Sequence, residues 1–399
     1  RVAQSLRGAR IRAAALTLPL VAFIAITFFV PLGSMLTRSF HSPQVADALP
    51  RTLALLEDWD GQSVPQEETF RTLGEEFRSL AKQRKLGGVA TRINRLESGM
   101  RSTILKTARK LRRDQPEFWR EAMVAADEAW GEAGTWRALR RAGERFTLQH
   151  YLNALDLDRD DAGRIVTQPP ERRIYLPLLW RTLVVSLAIT VICLVLGYPV
   201  AYLIANSSPA RSNLLLLLVL LPFWTSLLVR TTSWIVLLQN QGVINDLLVA
   251  IGILDDDGRI AMVYNMTGTL IAMTQILLPF MILPLFAVMR TVSPQHLRAA
   301  SSLGATFRQG FLRVYWPQTL PGVAAGSLLV FILSIGYYIT PALVGGRTGQ
   351  LISNMIAYHM QQSLNWGLAA ALGVILLATV GLFYFVYDRL VGIEGMRFS

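Results

Sequence analysis

Long apolar windows recur along this chain, and they restrict its fold more than any other feature. Each is about 20 residues or longer, enough for a helix to cross a hydrocarbon core of about 30 Å. Mean hydropathy is +0.38 over 399 residues. We therefore predict an all-α, polytopic membrane protein with six transmembrane helices rather than several soluble domains. The windows are Ala13–Leu36, Leu176–Ala205, Leu214–Leu238, Met262–Met289, Leu320–Val344 and Gly367–Tyr387.

The net charge of +12 is distributed unevenly along the chain. Residues 39–173 hold 23 basic and 21 acidic residues, whereas the remainder has 16 arginines, no lysine and 6 acidic residues. The excess lies near the ends of apolar windows. This distribution favours membrane orientation over a nucleic-acid-binding face, so membrane lipid is an expected partner and nucleic acid is not.

The arginines also orient the windows by the positive-inside rule. They predict a multi-pass membrane protein with both termini cytoplasmic and residues 39–173 extracytoplasmic. The first window is long for a signal peptide and lacks a clear cleavage site, which favours a retained helix. The predicted inner arginines are Arg1, Arg7, Arg10, Arg12, Arg211, Arg290, Arg298, Arg308, Arg313, Arg389 and Arg397; the short outer loops carry Arg259 and Arg347.

The long hydrophilic segment has the patterning of a small helical bundle. Ser63 and Pro65 predict a helix start before an apolar stripe at Phe70, Leu73, Phe77 and Leu80. A second stripe, after Gly87–Gly88, consists of Ile93, Leu96, Met100, Ile104, Ala108 and Leu111. Asp114 and Pro116 predict a third helix that runs through Trp130. The bundle is either an ordered decoration or a docking surface, and the sequence favours neither.

Residue types for catalysis or metal binding are scarce and scattered. Cys193 is the only cysteine, and the four histidines lack ligand spacing. The sequence offers no glycine-rich phosphate loop, carboxylate pair or nucleophile triad. We expect no catalytic residue, no metal site and no cofactor in this chain.

The segment between the fourth and fifth windows, residues 290–317, is unusually organised for a loop. Pro294 predicts the start of a short helix, and Gly304 permits a sharp turn. Thr306 can cap a second helix that ends at Pro317. Two interpretations remain open: a unit that presses into a partner's groove, or a basic helix on anionic lipid.

This segment resembles the EAA loop of ABC importer permeases. Ala299, Ala300 and Gly304 match the family's spacing, and Val314 and Pro317 stand near its end. Arg298 occupies the position where the family has Glu. The helix–turn–helix geometry does not depend on that exchange.

The flanking windows resemble spermidine/putrescine-type permeases over roughly residues 13–42 and 146–392. Among the matching stretches are "RTLVVSLAITVICLVLGYPVAYLIA" and "LPFWTSLLVRTTSWIVLL". "RFTLQHYLNAL", residues 145–155, is similar to the family's usual end of the first outer loop. The resemblance divides the chain into 1–42 with the first span, an extracytoplasmic helical insertion at 43–144, and a permease core at 145–399.

The resemblance implies the fold of a type I ABC importer permease, a location in the bacterial inner membrane, and a transport role without chemistry in this chain. A second permease subunit would complete the path, and a solute-binding protein would deliver solute from outside. A cytoplasmic ATPase dimer would bind ATP and Mg²⁺ and dock on the loop at 290–317. The implied coupling residues are Arg298, Ala299, Ala300, Gly304, Val314 and Pro317.

Polar and aromatic residues inside the windows are candidates for the translocation path, because polar groups are costly in lipid. Arg230 is the clearest, with a carbonyl-bound structural role as its alternative. The weaker candidates are Trp224, Trp234, Gln275, Tyr337 and Tyr338.

The predicted substrate is a small polar solute, and the resemblance favours a polyamine. The spans hold no acidic residue before Asp388, so opines, phosphonates, thiamine and ferric ion stay open as alternatives. A membrane sensor is disfavoured because no sizeable cytoplasmic domain is predicted. A secondary transporter is disfavoured because the spans lack carboxylates for ion coupling.

Overall fold

The computed structural model describes residues 15–112, 116–160 and 163–391. Regular structure in these ranges is almost entirely helical, with one two-stranded antiparallel sheet. The described residues up to Pro169, with Asn365–Ala371, form a first compact unit; Pro170–Leu364 and the residues from Leu372 onward form a second. The N-terminal arginines, Asp114 and Arg397 lie outside the described residues.

The first unit starts with one long apolar helix, α1 (Ala15–Phe40), which contains a π-helical turn at Ala25–Phe29. The most apolar 18-residue window of α1 has no buried residue. A helix this apolar and this exposed requires lipid or protein around it. It corresponds to the first predicted span.

A bundle of short helices follows α1, and a small hairpin follows the bundle. The bundle comprises α2 (Gln44–Ala48), α3 (Pro50–Glu57), α4 (Glu67–Lys82), α5 (Leu86–Leu96), α6 (Met100–Leu111), α7 (Trp119–Val124), a 3-10 turn (Glu128–Gly131) and α8 (Ala133–Ala142). Then come α9 (Gln149–Ala154), β1 (Leu157–Arg159) and β2 (Ile165–Thr167), with Leu157 opposite Thr167.

A continuous hydrophobic core holds the bundle together, and its members run from Val45 to Ala142. The predicted α4 stripe is buried in it, and Phe70 meets the Trp136 ring edge-on at 4.6 Å between centroids. The Trp130 indole N–H donates to Thr107 Oγ1 at 2.8 Å, and that of Trp136 donates to the Trp130 carbonyl at 3.1 Å. Because both indoles are satisfied, their rings can be buried at little polar cost. The predicted helical bundle is confirmed.

Three details of the predicted bundle are wrong. The second stripe belongs to two helices, because Gly99 has φ +98° and interrupts the helix after Leu96. Gly87 and Gly88 lie in the first turn of α5 and separate nothing. The third helix starts at Trp119 and ends at Val124. Asp127 then caps a separate 3-10 turn by accepting from the Ala129 N–H.

The chain enters and leaves the bundle at neighbouring points. His41 and Phe146 form an antiparallel β-bridge. The Ser42 N–H donates to the Arg145 carbonyl, and the Thr147 N–H donates to the Phe40 carbonyl, both at 2.8 Å. Neighbouring ends are typical of an inserted domain. The predicted boundaries near 43 and 144 stay predictions, since the two compact units divide at Pro169 instead.

The second unit contains most of the remaining apolar helices. After a 3-10 turn (Pro170–Arg172), its elements are α10 (Tyr175–Ala205), α11 (Pro209–Leu220), a 3-10 turn (Leu221–Trp224), α12 (Leu227–Leu238), α13 (Val243–Ala250), a 3-10 turn (Asp256–Gly258), α14 (Met266–Met289), α15 (Pro294–Ser302), α16 (Phe307–Gly336), α17 (Ile339–Val344) and α18 (Ile352–Gln361). The last helix, α19 (Trp366–Val391), starts in the first unit and continues in the second.

Helices α10, α14 and α16 pack closely around glycines. A Cβ at Gly326 would lie 2.8 Å from Met281 Sδ, and one at Gly322 would lie 3.2 Å from the Pro284 carbonyl oxygen. On α10, a Cβ at Gly197 would lie 3.2 Å from Cγ of the same Met281. Small residues allow membrane helices to approach backbone to backbone, where van der Waals contact replaces the hydrophobic drive of water.

Five helices are long and apolar enough to span a membrane, and a bent pair makes a sixth. The third predicted span is therefore wrong as a straight helix, because its two halves meet at 96°. Pro222 removes a backbone donor at the bend, and Ser226 restarts the helix as N-cap by accepting from the Val229 N–H. The fifth predicted span ends early, at Gly336.

Candidate functional site

The loop between α14 and α16 is a fixed structure built by two capping motifs. Helix α15 starts at Pro294 behind Ser293, whose hydroxyl accepts from the Gln295 N–H. At its other end, Gly304 has φ +84°, and its N–H donates to the Ser301 carbonyl. The Ala305 N–H donates to the Ala300 carbonyl at 3.0 Å. This pair of bonds is a Schellman motif, which satisfies the last carbonyls of the helix.

The second helix of the loop starts with a reciprocal cap. Thr306 Oγ1 accepts from the Gln309 N–H, and the Gln309 side chain accepts from the Thr306 N–H at 3.0 Å. Each side chain satisfies a backbone donor that the first helical turn would leave free. The predicted helix, glycine turn and capped second helix are confirmed as geometry. The coupling role of these residues stays a prediction.

One part of the predicted loop is wrong, because the second helix does not end at Pro317. It continues as α16 through Gly336, and Pro317 lies exposed near the start of its regular α-helical part. A π-helical turn at Phe311–Tyr315 immediately precedes it. Proline lacks an N–H, and its ring crowds the preceding helical turn. The extra residue of a π-helical turn accommodates the missing donor and the ring. Val314 lies in that turn, and its carbonyl accepts from the Gln318 side-chain amide at 2.7 Å.

The outer surface of the loop is apolar at its tip and basic around it. Leu303 is 89% exposed and Phe307 is 78% exposed. Arg298 and Ala299 are exposed on α15, whereas Ala300 is half-buried. Large apolar side chains held in the open by a rigid turn are typical of a surface that meets a partner.

Arg230 lies at the bend of the third span and holds it. One guanidinium nitrogen, Nη2, donates to the carbonyls of Pro222 at 2.5 Å and Thr225 at 3.1 Å. These carbonyls end the α11 segment, where the helix dipole is negative. The sequence left a path role and a carbonyl-bound role open, and the structure shows the carbonyl contacts. Because lipid offers no water to these carbonyls, the guanidinium satisfies them and offsets the partial negative charge of the helix end.

Two other path candidates contact each other. The Trp234 indole N–H donates to Gln275 Oε1 at 3.2 Å, which joins α12 to α14. On α12, three residues earlier, buried Thr231 has its hydroxyl 3.4 Å from that of Thr340 on α17. Neither threonine was predicted from the sequence. By contrast, Trp224 is 74% exposed and has none of these contacts among the described residues.

Tyr337 and Tyr338 occupy a break between α16 and α17. Their two backbone carbonyls accept from side chains in the first turn of α18: Ser353 Oγ donates to Tyr337 at 2.6 Å, and Asn354 Nδ2 donates to Tyr338 at 2.7 Å. The break therefore leaves these carbonyls satisfied, as buried backbone at membrane depth requires. Sequence reasoning chose the tyrosine rings and missed Ser353 and Asn354. The signal was a polar Ser-Asn pair inside an otherwise apolar stretch.

A polar network continues from Asn354 to α10. Asn354 Oδ1 accepts from the Leu351 N–H at 3.0 Å, and the Ile352 N–H donates to Thr182 Oγ1 at 2.9 Å. Nearby on α14, Thr269 Oγ1 donates to the Gly349 carbonyl. The start of α18 is thus fixed to two membrane helices by hydrogen bonds. The second unit combines two broken helices, each with side chains that satisfy its free carbonyls.

Comparisons with known proteins agree on one family. A family model described as "Binding-protein-dependent transport system inner membrane component" matches residues 197–393. The spermidine/putrescine transport system permease protein PotB of Haemophilus influenzae is 38% identical over 216 residues, 54% of this chain and 75% of that protein. PotB of Escherichia coli is 34% identical over 244 residues, 61% of this chain and 82% of that protein.

A third relative is similar over nearly the same part of the chain. The inner membrane ABC transporter permease protein YdcU of Escherichia coli is 33% identical over 224 residues, 53% of this chain and 71% of that protein. All three relatives are permease proteins, which makes this chain a transport subunit rather than an enzyme. It is a multi-pass inner-membrane protein and belongs to the family of binding-protein-dependent transport system inner membrane components, the permease subunits of ABC importers.

Proposed function

We propose that this permease imports polyamines such as spermidine and putrescine. The observation that carries the proposal is the identity of 34–38% with two PotB proteins, over 75% and 82% of their lengths. None of the relatives described above favours an opine, phosphonate, thiamine or ferric-ion substrate, or a sensor.

The chain would form half of the translocation path, with a second permease subunit as the other half. A solute-binding protein would deliver the polyamine, and a cytoplasmic ATPase dimer would bind ATP and Mg²⁺. Both termini would be cytoplasmic and residues 39–173 extracytoplasmic. The rigid loop at 290–317, with its apolar tip, supports the proposed ATPase contact. Closure of the ATPase dimer on ATP would shift the two helices that flank this loop, α14 and α16, from one arrangement to the other.

The proposed path runs beside the two broken helices. Helix α16 ends at Gly336. Its carbonyl end carries a partial negative charge and lies beside the aromatic rings of Tyr337 and Tyr338. Both features attract an ammonium group. The corresponding helix end at the other break already holds a cation, since Arg230 contacts the Pro222 and Thr225 carbonyls. A path of carbonyl dipoles and rings would pass a polyamine without intramembrane carboxylates.

Uptake measurements test the substrate. Cells lacking their own polyamine import would express this chain together with the ATPase, second permease and binding protein of its transport system. We expect ATP-dependent uptake of radiolabelled spermidine or putrescine, which excess unlabelled polyamine abolishes and excess thiamine leaves unchanged. Uptake of thiamine or ferric ion without polyamine uptake would overturn the proposal.

Two substitutions at Gly304 test the ATPase contact. Gly304→Val forces a β-branched residue into φ +84°, which costs about 1–2 kcal/mol, whereas Gly304→Asn tolerates this conformation. Among the described residues nothing lies within 4 Å of an added Cβ, so the two differ in backbone strain and not in a clash. We expect the Val variant to co-purify less ATPase and the Asn variant to retain it. Equal retention by both would remove the coupling assignment.

A further inference from the structure

The proposed ATPase-binding loop carries positive charge without compensation. Arg298, Arg308 and Arg313 are exposed, and their side chains make no ion pair with any described residue. The sequence has no Asp or Glu between Asp257 and Asp388. Three exposed guanidinium groups therefore lie within one short segment that has no acidic residue of its own.

The same surface is built to stay in one conformation. The Schellman bonds at Gly304 and the reciprocal cap at Thr306 and Gln309 fix the turn between the arginines. His296 is also fixed, because its Nδ1 lies 2.8 Å from Gln318 Oε1 on α16. A preordered surface loses little conformational entropy on binding. Arginine and aromatic residues are enriched in protein interfaces.

An anionic lipid surface is the competing occupant, but α15 lacks the apolar face that this requires. A helix in the membrane interface buries a broad apolar side. Along α15 the only large apolar side chain is Leu297, and it packs inward, 3.5 Å from where a Cβ on Gly310 would lie. The two most exposed apolar residues of the loop, Leu303 and Phe307, lie at the turn instead. Their placement fits insertion into a pocket better than a helix lying flat on lipid.

We propose that the loop docks into an acidic groove of the ATPase, with a carboxylate opposite Arg298 and an apolar floor beneath Leu303 and Phe307. The inference rests on the proposed function, in which an ATPase binds this loop. It adds the chemistry of the receiving surface. Arginine and carboxylate form short, paired hydrogen bonds that are strongest when water is excluded. An acidic groove would match the positive charge of Arg298, which stands where the resembling family has a negatively charged Glu.

Zero-length crosslinking tests this contact directly. The chain has four lysines, all within residues 82–110, so Arg298→Lys introduces an amine that is unique in the second unit. The complex would be purified with its ATPase from cells and treated with a carbodiimide, which joins an amine only to a carboxylate in contact with it. We expect a covalent adduct between Lys at 298 and an acidic ATPase residue, identified by mass spectrometry. Arg211→Lys, exposed at the start of α11, is the matched control and should give no adduct.

A charge reversal provides the second measurement. In nanodiscs of neutral lipid, Arg298→Glu should weaken ATPase binding about tenfold at low salt and reduce its salt dependence, while Arg211→Glu should leave both unchanged. ATPase that stays bound to the Arg298→Lys variant without any adduct at 298 would overturn the acidic groove. An effect of Arg298→Glu only in discs with anionic lipid would assign the arginine to lipid. Failure of the wild-type chain to bind ATPase would instead overturn the proposed function.

Discussion

The helical bundle formed by α2 to α8 and the membrane core are packed with different kinds of side chain. In the bundle, Phe70, Phe77, Trp130 and Trp136 are fully buried against each other. In the membrane core, glycines on α10 and α16 meet the backbone and side chains of α14. Water drives large apolar side chains together, but lipid does not. The membrane core therefore depends on close approach and on hydrogen bonding, and the bundle depends on buried area.

Buried polar groups differ in the same way. In the bundle, the Glu76 carboxylate is buried and accepts from the Arg51 N–H at 2.9 Å and the Thr52 hydroxyl at 2.5 Å. In the membrane core, neutral Ser353 and Asn354 and the cationic Arg230 satisfy backbone carbonyls where helices break. A buried carboxylate needs a few hydrogen-bond donors. A helix that breaks in lipid instead needs donors for its free backbone carbonyls.

The largest effect is expected from a truncation in the bundle core. Trp136→Ala removes a fully buried ring and should destabilise the bundle by about 3–5 kcal/mol. Hydrogen exchange of the α4 amides in the full-length chain would measure the loss. Phe118→Ala, at a position 58% exposed, is the control and should change exchange little. Equal protection in both variants would contradict the idea that buried area holds the bundle.

A larger side chain should be the damaging change in the membrane core. Gly326→Leu would place a side chain where an added Cβ already lies 2.8 Å from Met281 Sδ and 3.1 Å from its carbonyl oxygen. Overpacking costs about 1–3 kcal/mol, so we expect a lower melting temperature in detergent and weaker transport. Gly381→Leu, in α19 with no described atom within 4 Å of an added Cβ, is the matched control. A stable Gly326→Leu variant would show that α14 and α16 are not in close contact.

The sequence predicted the bundle and the loop well because their signals are local. The α4 stripe at Phe70, Leu73 and Phe77 follows helical periodicity, and capping residues mark the turn at Gly304 and Thr306. Such patterns depend on a few neighbouring residues. The errors in the bundle arose where one residue changed the backbone, as Gly99 did by adopting φ +98°.

The membrane path was harder to predict because its important contacts are distant in sequence. Hydropathy shows that a segment is apolar but not that it bends, so the 96° break within the third span was missed. Ser353 and Asn354 satisfy carbonyls 16 residues earlier, and Thr231 meets Thr340 across 109 residues. No periodicity reports these pairs. Arg230 was found because a charge inside lipid is rare, but its carbonyl partners required coordinates.

A smaller effect is expected from the cation at the bend. Arg230→Gln shortens the side chain and leaves the Pro222 and Thr225 carbonyls without their charged donor. A hydrogen bond to a charged group contributes about 1.5–3 kcal/mol. Part of this loss is recovered if the bend straightens. We expect a more variable angle, measured by spin-label distances between α11 and α13. Arg211→Gln, exposed at the start of α11, is the control; an unchanged distance distribution in both variants would exclude Arg230 as the residue that fixes the bend.

The smallest effect at neutral pH is expected from His150, in the first unit. Burial, and then the charges of Arg92 and Arg95, lower the pKa of His150 from its ordinary 6.5 to about 4. The folded state thus prefers the neutral ring, which lies against Gly367. Between pH 6.5 and about 4 the unfolded state binds a proton that the folded state does not, so stability falls as the pH decreases through that window. Above pH 6.5 the pH has no effect through this group.

His150→Gln separates this charge effect from packing, because glutamine does not titrate. Melting temperatures of wild type and variant, measured in detergent from pH 7.5 to pH 4, should converge as the pH decreases. At pH 7.5 the variant should differ from wild type only by its lost ring contacts. Parallel curves over the whole range would mean that His150 titrates alike in both states. Convergence would show that the first unit responds to acid through His150.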